Sequence, residues 1–246
     1  MSHQPITPRI AQIGNLDLIQ VATEKLLSRV DGLPGIGVIY GAPGRGKTFA
    51  CVALANSENA YYVQMRSAWN RKTLLEKILV EMGIQADGAI PHLLDQICEQ
   101  LALSRRPLII DEADFALKSD GMIELIRDVY EGAQGTLLLV GEENMPKKLS
   151  RWDRVHSRVM AWIPAMPVSL DDVCTLAPIY CPGIEVRDDL LRHITELASG
   201  SVRRACVNLT MIYEAAAVTG EPVMSLDTWG DRPFYTGNAP AIRRGM

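Results

Sequence analysis

The sequence of 246 residues contains no long apolar run, and no stretch approaches the roughly 20 apolar residues of a membrane-spanning helix. Its first residues lack the basic start and apolar segment of a secretory signal. The five cysteines are scattered without a CxxC pair, and the four histidines are not spaced like metal ligands. We therefore expect a cytoplasmic protein with reduced thiols, no membrane contact and no zinc site.

Positive charge is not in excess either. The chain has 25 lysines and arginines against 29 aspartates and glutamates, for a formal net charge of −4 at pH 7. Phosphate is repelled by a uniformly acidic surface, so a nucleic-acid contact would need a local basic face. The alternative for any one basic residue is an ordinary solvated charge. Two groups could supply such a face: Arg66, Arg71 and Lys72, and also Lys147, Lys148, Arg151, Arg154 and Arg158.

Apolar runs with the composition of buried strands alternate with helical stretches over the first two thirds of the chain. The predicted strands are residues 37–40, 60–65, 108–111, 135–141 and 159–163. This alternation predicts an α/β fold, a three-layer sandwich around a mostly parallel sheet.

The pattern changes after Pro167. Three helical stretches with no strand between them, residues 170–177, 188–199 and 202–218, predict a small helical lid. From Gly220 onward proline and glycine are frequent and periodicity is lost, which predicts an extended tail. The predicted parts are thus an α/β domain (1–167), a helical lid subdomain (168–219) and an extended C-terminal tail (220–246).

Residues 41–48 match the phosphate-binding pattern GxxxxGK[ST] and lie between a predicted strand and a predicted helix. The glycines let backbone N–H groups point at a phosphate, at the positive end of the following helix. Lys47 is expected to reach the β- and γ-phosphates of ATP, and Thr48 to bind Mg²⁺. The predicted nucleotide-binding residues are Gly41, Ala42, Pro43, Gly44, Arg45, Gly46, Lys47, Thr48 and Phe49.

A second motif follows at residues 108–112, an apolar strand that ends in two carboxylates. A buried strand would deliver Asp111 to the sheet edge beside the phosphate-binding loop, where it can hold Mg²⁺. Glu112 is then placed to polarise the attacking water. A glutamate at this position favours ATP hydrolysis over phosphoryl transfer to a small acceptor.

At these motifs the chain resembles the AAA+ ATPases, over about residues 16–218. In that family the next strand ends in a polar sensor, and here residues 136–140 are followed by Asn144 as the candidate sensor. Glu142 and Glu143 remain alternatives.

The resemblance also suggests roles for two arginines. Arg158, after Ser157, resembles the arginine finger that reaches a neighbouring subunit's ATP, with Arg154 as the competing candidate. Arg203, in Gly200–Arg203, resembles the second sensor on the lid, with Arg204 as its rival. An arginine finger implies that the active form is a homo-oligomer, either a ring or a helical filament.

Within the AAA+ proteins, the layout is similar to the DNA-transposition group of phage Mu transposition protein B, TnsC and IstB. The similarity rests on the acidic block at Asp111–Asp114, the early phosphate-binding loop, the short lid and the tail at residues 229–237. It implies an ATPase that assembles on double-stranded DNA without sequence preference and recruits and stimulates a transposase. The Mu protein carries an N-terminal helix-turn-helix domain, for which too few residues precede the loop in this sequence, so we expect any DNA binding to come from the AAA+ module itself.

Two other functions share most of these motifs. One is a helicase or initiator loader, and the other is a protein remodeller with an aromatic pore loop. In the DNA-binding interpretations, Arg66, Arg71 and Lys72 follow the second strand, where related ATPases present DNA-facing loops. In the tail, Trp229, Phe234 and Tyr235 either cover their own subunit or dock on a partner, and the second interpretation is favoured. Arg243 and Arg244 could touch DNA.

Overall fold

The structure of the protein, a computed structural model, describes residues 11–238. These residues form two compact units. The α/β unit comprises Asn15–Pro43 and Lys47–Ala165. The helical unit comprises Gly44–Gly46 together with the described parts of Met1–Gly14 and Met166–Met246, so the tail is not separate from the lid helices.

Helices and strands alternate in the α/β unit, as the sequence predicts. In chain order the elements are α1 (Gly14–Leu27), β1 (Ile36–Tyr40), α2 (Lys47–Ser57), β2 (Tyr61–Gln64), α3 (Arg71–Glu81), α4 (Ile90–Ser104), β3 (Leu108–Asp111), a 3₁₀ helix (Ala113–Lys118), α5 (Asp120–Ala133), β4 (Leu137–Gly141), α6 (Met145–Leu149), α7 (Asp153–His156) and β5 (Val159–Pro164).

One parallel sheet organises this unit. Its five strands run in the order β2-β3-β4-β1-β5, and every pairing is parallel. The strands β3 and β4 are buried along their whole length, because helices cover both faces of the sheet; this explains their continuous apolar sequences. The predicted α/β fold with a mostly parallel sheet is therefore confirmed.

The sheet brings the ends of its strands to one edge. Ligands of open parallel sheets bind outside the carboxyl ends of the strands. Here β1, which leads into the phosphate-binding loop, lies between β4 and β5, and β3 is the next neighbour of β4. The motifs that follow β1, β3 and β4 in the sequence therefore lie along the same edge.

The helical unit contains more than helices. Its elements are α8 (Leu170–Tyr180), β6 (Glu185–Val186), α9 (Asp188–Ala198), α10 (Val202–Thr219), β7 (Val223–Met224) and α11 (Leu226–Trp229). The expectation of no strand between the lid helices is wrong, because β6 lies between α8 and α9 and forms a short parallel pair with β7. Two residues per strand are too few to produce a visible period-2 pattern, which is why the sequence hides them.

The beginning of the tail is folded against its own unit, which differs from the expected extended chain. Trp229 is 2% exposed, and its ring stacks on Phe234 with centroids 4.9 Å apart. The amide of Asn208, on α10, holds the backbone of Tyr235: it accepts from the Tyr235 N–H at 2.8 Å and donates to its carbonyl at 3.0 Å. Trp229 and Phe234 thus cover their own unit, contrary to the favoured interpretation.

Two remaining expectations concern the ends of the chain and the membrane. Arg243 and Arg244, expected to touch DNA, lie outside the described residues. Within residues 11–238, every helix is too short or too polar to cross a membrane.

Candidate nucleotide-binding site

The phosphate-binding loop connects β1 to α2 and takes a backbone path that only glycine follows without strain. Gly44 and Gly46 both have φ near +80°, a region that side chains with a Cβ avoid. A Cβ on Gly41 would come within 2.9 Å of the Ala165 side chain. The ammonium of Lys47 donates to the carbonyls of Gly41 at 2.6 Å and Ala42 at 3.1 Å. The lysine head is therefore held at the loop itself.

Asp111 ends β3 and lies against the start of α2. The residue is 2% exposed, and its carboxylate Oδ2 accepts a hydrogen bond from the Thr48 hydroxyl at 2.8 Å. Its Oδ1 accepts from the backbone N–H of Glu112 at 2.8 Å. A hydroxyl and a carboxylate in contact are hard oxygen ligands of the kind that Mg²⁺ prefers next to a nucleotide phosphate. The residues present therefore fit a magnesium–nucleotide complex.

Glu112, directly after β3, has an unusual backbone for a residue with a side chain. Its φ of 55° and ψ of 35° place it in the left-handed region. Burial raises the pKa of its carboxyl, and the charge of Asp111 raises it further, while Lys47 acts in the opposite direction. A carboxylate that binds a proton more readily than usual is suited to accept one from water.

Tyr62, on β2, is a residue of this site that sequence reasoning missed. Its hydroxyl donates to Asp111 Oδ2 at 2.8 Å, the same oxygen that Thr48 contacts. Burial and the neighbouring Asp111 charge raise the pKa of the phenol, so the group is a neutral donor. Successive strand residues face opposite sides of a sheet, and the sequence Tyr61-Tyr62 does not reveal which ring meets β3.

The loop after β4 carries the three candidate sensors, and Asp114 anchors it. Asp114 accepts from the Glu142 backbone N–H at 2.6 Å and from the Lys148 ammonium at 2.7 Å. The carboxylate of Glu142 also contacts Lys148, at 3.3 Å, so it is already engaged. Glu143 and Asn144 are exposed. Asn144 as the sensor remains a prediction, with Glu142 and Glu143 as its open alternatives.

Comparison with known protein families finds a match that covers the residues of this site. The family model described as "AAA domain" matches residues 30–149, which include the phosphate-binding loop, β3 and β4. The fold is that of the AAA+ ATPases. Residues 30–149 therefore form an AAA+ ATPase module that contains Lys47, Thr48, Asp111 and Glu112.

Curated relatives and solved structures resemble most of the chain. Replication factor C small subunit 1 of Pyrobaculum arsenaticum is 28% identical over 184 residues, covering 73% of this chain and 52% of the relative. The chain thus spans about half the length of that protein. The ADP form of the Aeropyrum pernix ORC2 protein matches with a TM-score of 0.64 at 22% identity, over 92% of this chain and 69% of the other. The Aeropyrum pernix ORC1 protein in complex with DNA matches with a TM-score of 0.60 at 20% identity, over 87% and 62%.

The predicted arginine finger of this AAA+ module has a partner within its own chain. The Arg158 guanidinium pairs with Glu131 on α5 and also donates to the Arg154 carbonyl. Arg154 itself is exposed on α7. A role of Arg158 in a neighbouring subunit would require it to leave Glu131, so the choice between the two arginines stays open.

The other predicted residues lie at separate places. Arg203 is exposed in the first turn of α10, and its backbone N–H donates to the Gly44 carbonyl at 3.3 Å, within the helical unit. Phe49 is 45% exposed on α2. The predicted DNA-contacting residues Arg66, Arg71 and Lys72 are all exposed and lie before or at the start of α3. Lys72 forms a loose ion pair with Glu76 at 3.8 Å. Their roles remain predictions.

Proposed function

We propose that this protein binds and hydrolyses ATP and uses the nucleotide to control its assembly on double-stranded DNA, as a helicase- or initiator-loader type of AAA+ ATPase. The observation that carries the nucleotide part is the 2.8 Å contact between Thr48 and Asp111, beside Lys47. The DNA part is supported by relatives named as replication factors and by the likeness to ORC1, solved in complex with DNA.

In this proposal each side chain has a defined task. Backbone N–H groups of residues 41–48 and the Lys47 ammonium bind the β- and γ-phosphates. Thr48 and Asp111 would hold Mg²⁺, which would supply positive charge against the phosphate oxygens during hydrolysis. Glu112 orients the attacking water and accepts its proton; the raised pKa of its carboxyl favours that step.

Assembly would complete the site from outside the protomer. In an oligomer, Arg158 or Arg154 of one subunit stabilises the charge on the γ-phosphate bound by the next subunit. The proposed sensors of that phosphate are Arg203 or its rival Arg204 in the lid, and one of Asn144, Glu142 and Glu143 in the loop after β4. Hydrolysis of that ATP then regulates assembly.

A DNA-contacting face of suitable chemistry lies at the exposed edge of the sheet. A cleft beside β2 and α3 is lined by Arg66, Lys77 and Trp69, with Glu81 as its acidic member. Arg71 lies at the start of α3. Cations bind phosphates without sequence preference, and repetition of a few contacts along an oligomer offsets the net negative charge of the monomer.

Transposition is the second candidate. It rests on the sequence layout and the tail, and it would add a transposase as partner and a filament along target DNA as the assembled form. The relatives and structures described above are replication factor C and ORC proteins, and they favour the loader-type function instead.

The test is electron microscopy and fluorescence anisotropy of the protein with linear duplex DNA, with and without a slowly hydrolysed ATP analogue. Nucleotide-dependent binding as discrete rings or short oligomers supports the loader-type proposal. Continuous filaments would move the assignment to transposition. Failure to bind DNA at low salt with the analogue present would refute both.

A matched pair of variants tests the proposed face. The Arg66→Ala/Lys77→Ala double variant should weaken DNA binding. It should also make the fall of log affinity with log salt less steep by about 2 units of slope, one for each lost phosphate contact. The control is Lys25→Ala/Lys118→Ala, which removes the same charge from exposed residues on α1 and in the 3₁₀ helix. Equal effects of the two pairs would mean that net charge, and not this face, governs binding.

A further inference from the structure

The hydroxyl of Tyr62 reaches into the magnesium-binding corner of the site from the edge strand β2. Both Thr48 and Tyr62 donate to Asp111 Oδ2 at 2.8 Å, and the Glu112 N–H donates to Oδ1 at 2.8 Å. Three donors therefore fix both oxygens of a carboxylate that is almost fully buried. Of the three, only Tyr62 lies outside the two sequence motifs.

We propose that Tyr62 is a positioning residue that orients the Asp111 carboxylate toward the magnesium ion. Groups that hydrogen-bond to a metal-binding carboxylate fix its rotation, and their loss commonly weakens metal binding by 10-fold or more. Thr48 would also bind the metal through its hydroxyl oxygen, and the Tyr62 donor would then still hold Asp111 in place. The inference rests on the nucleotide-binding part of the proposed function and is independent of DNA.

The geometry distinguishes this role from general support of the fold. Tyr62 is only half-buried, and its backbone is anchored separately: its N–H donates to Glu81 Oε1 at 3.2 Å, and the strand pairs with β3 in register. The neighbouring Tyr61 is fully buried, and its hydroxyl accepts from Gln100 at 3.0 Å. Two adjacent phenols on one strand thus serve different sides of the sheet.

The test compares Tyr62→Phe with Tyr61→Phe, which removes the same atom from the same strand. ADP binding is measured by calorimetry in EDTA and across a magnesium titration, and ATP hydrolysis is followed over the same titration. For Tyr62→Phe we expect about a 10-fold increase in the magnesium concentration needed for half-maximal tight binding and for half-maximal hydrolysis. Affinity for ADP in EDTA should stay at the wild-type value, and excess magnesium should restore hydrolysis.

The other outcomes overturn the inference. A Tyr62→Phe protein with the magnesium dependence of wild type, or of Tyr61→Phe, shows that the hydroxyl does not position Asp111. A Tyr62→Phe protein that unfolds, or that loses ADP binding equally in EDTA, shows that the hydroxyl supports the fold instead. Absence of magnesium-dependent ADP binding in the wild type itself would count against the proposed function, which keeps the two failures apart.

Discussion

Replacement of Asp114 by alanine tests how the site is connected to the loop after β4. The carboxylate accepts two hydrogen bonds, from the Glu142 N–H at 2.6 Å and from Lys148 at 2.7 Å, and is itself buried. An unpaired backbone N–H in a partly buried place costs about 1–3 kcal/mol. The Lys148 ion pair adds at most about 1 kcal/mol, because the lysine side chain is 43% exposed. We expect a loss of about 2–3 kcal/mol.

This loss should be visible as a fall in melting temperature of about 4–12 °C, from the sensitivity of proteins of this size to a change of 1 kcal/mol. Tryptophan fluorescence is a suitable probe of the α/β unit, because Trp69, Trp152 and Trp162 lie there and only Trp229 lies in the helical unit. Urea unfolding followed at the same signal gives the change in free energy directly.

Two companion variants make the experiment decisive. Glu143→Ala removes an exposed carboxylate from the same loop and should change stability by less than about 0.5 kcal/mol. Lys148→Ala should cost about 1 kcal/mol or less, since it leaves the Glu142 N–H bonded to Asp114. If Asp114→Ala is no less stable than Glu143→Ala, the carboxylate does not anchor the loop and the reasoning fails.

The remaining predictions concern the nucleotide and the packing around it. Lys47→Ala should abolish ATP and ADP binding in calorimetry; retention of wild-type affinity would refute its role. Glu112→Gln should keep nucleotide binding but trap the ATP-bound assembly, and rapid phosphate release by that variant would contradict it. In metal- and nucleotide-free protein, Glu112→Gln should also be more stable than wild type at neutral pH. Gly141→Ala should cost about 1–3 kcal/mol in urea unfolding, because its Cβ would overlap the Asp114 carboxylate and the Met145 sulfur.

The sign of the pH effect at Glu112 follows from linkage. The pKa of this carboxyl is raised in the folded protein, so the folded state binds the proton more tightly than the unfolded state does. Its stabilising contribution is present below the ordinary pKa of glutamate and is lost as the pH rises through the raised value. The advantage of Glu112→Gln in thermal unfolding should therefore be seen at neutral pH and disappear in acid. An advantage that grows in acid would show that the pKa is not raised.

The parts of the fold that sequence predicts well are those with local causes. The strand β3 has a continuous apolar sequence because both faces of a parallel sheet are covered, and the glycines of residues 41–48 are dictated by backbone angles. Each of these features is visible within a few neighbouring residues. Asp111 could be assigned to the sheet edge because it ends such a strand.

The contacts that sequence did not predict join residues far apart in the chain. Tyr62 and Asp111 are 49 positions apart, and Asp114 and Lys148 are 34 positions apart. Strand order decides both contacts, since β2 is the neighbour of β3, and β3 of β4. The folded start of the tail is a similar case. The Asn208 amide hydrogen-bonds to both the N–H and the carbonyl of Tyr235, as a backbone partner would, and no local sequence pattern predicts this contact.

The left-handed backbone of Glu112 lies between the hydrogen bonds of Asp111 and those of Asp114. A residue with a side chain in this conformation costs on the order of 1 kcal/mol or more and persists only when its surroundings impose it. Here the Asp111 carboxylate accepts the Glu112 N–H, and the turn leads directly into the 3₁₀ helix that presents Asp114 to the loop after β4. The same strained residue thus carries the carboxylate proposed to activate water, and it directs the chain toward the loop after β4. We therefore expect a change in how Asp111 is held, whether by the proposed magnesium ion or by loss of Tyr62, to act on the backbone that connects the proposed hydrolysis site to the loop after β4.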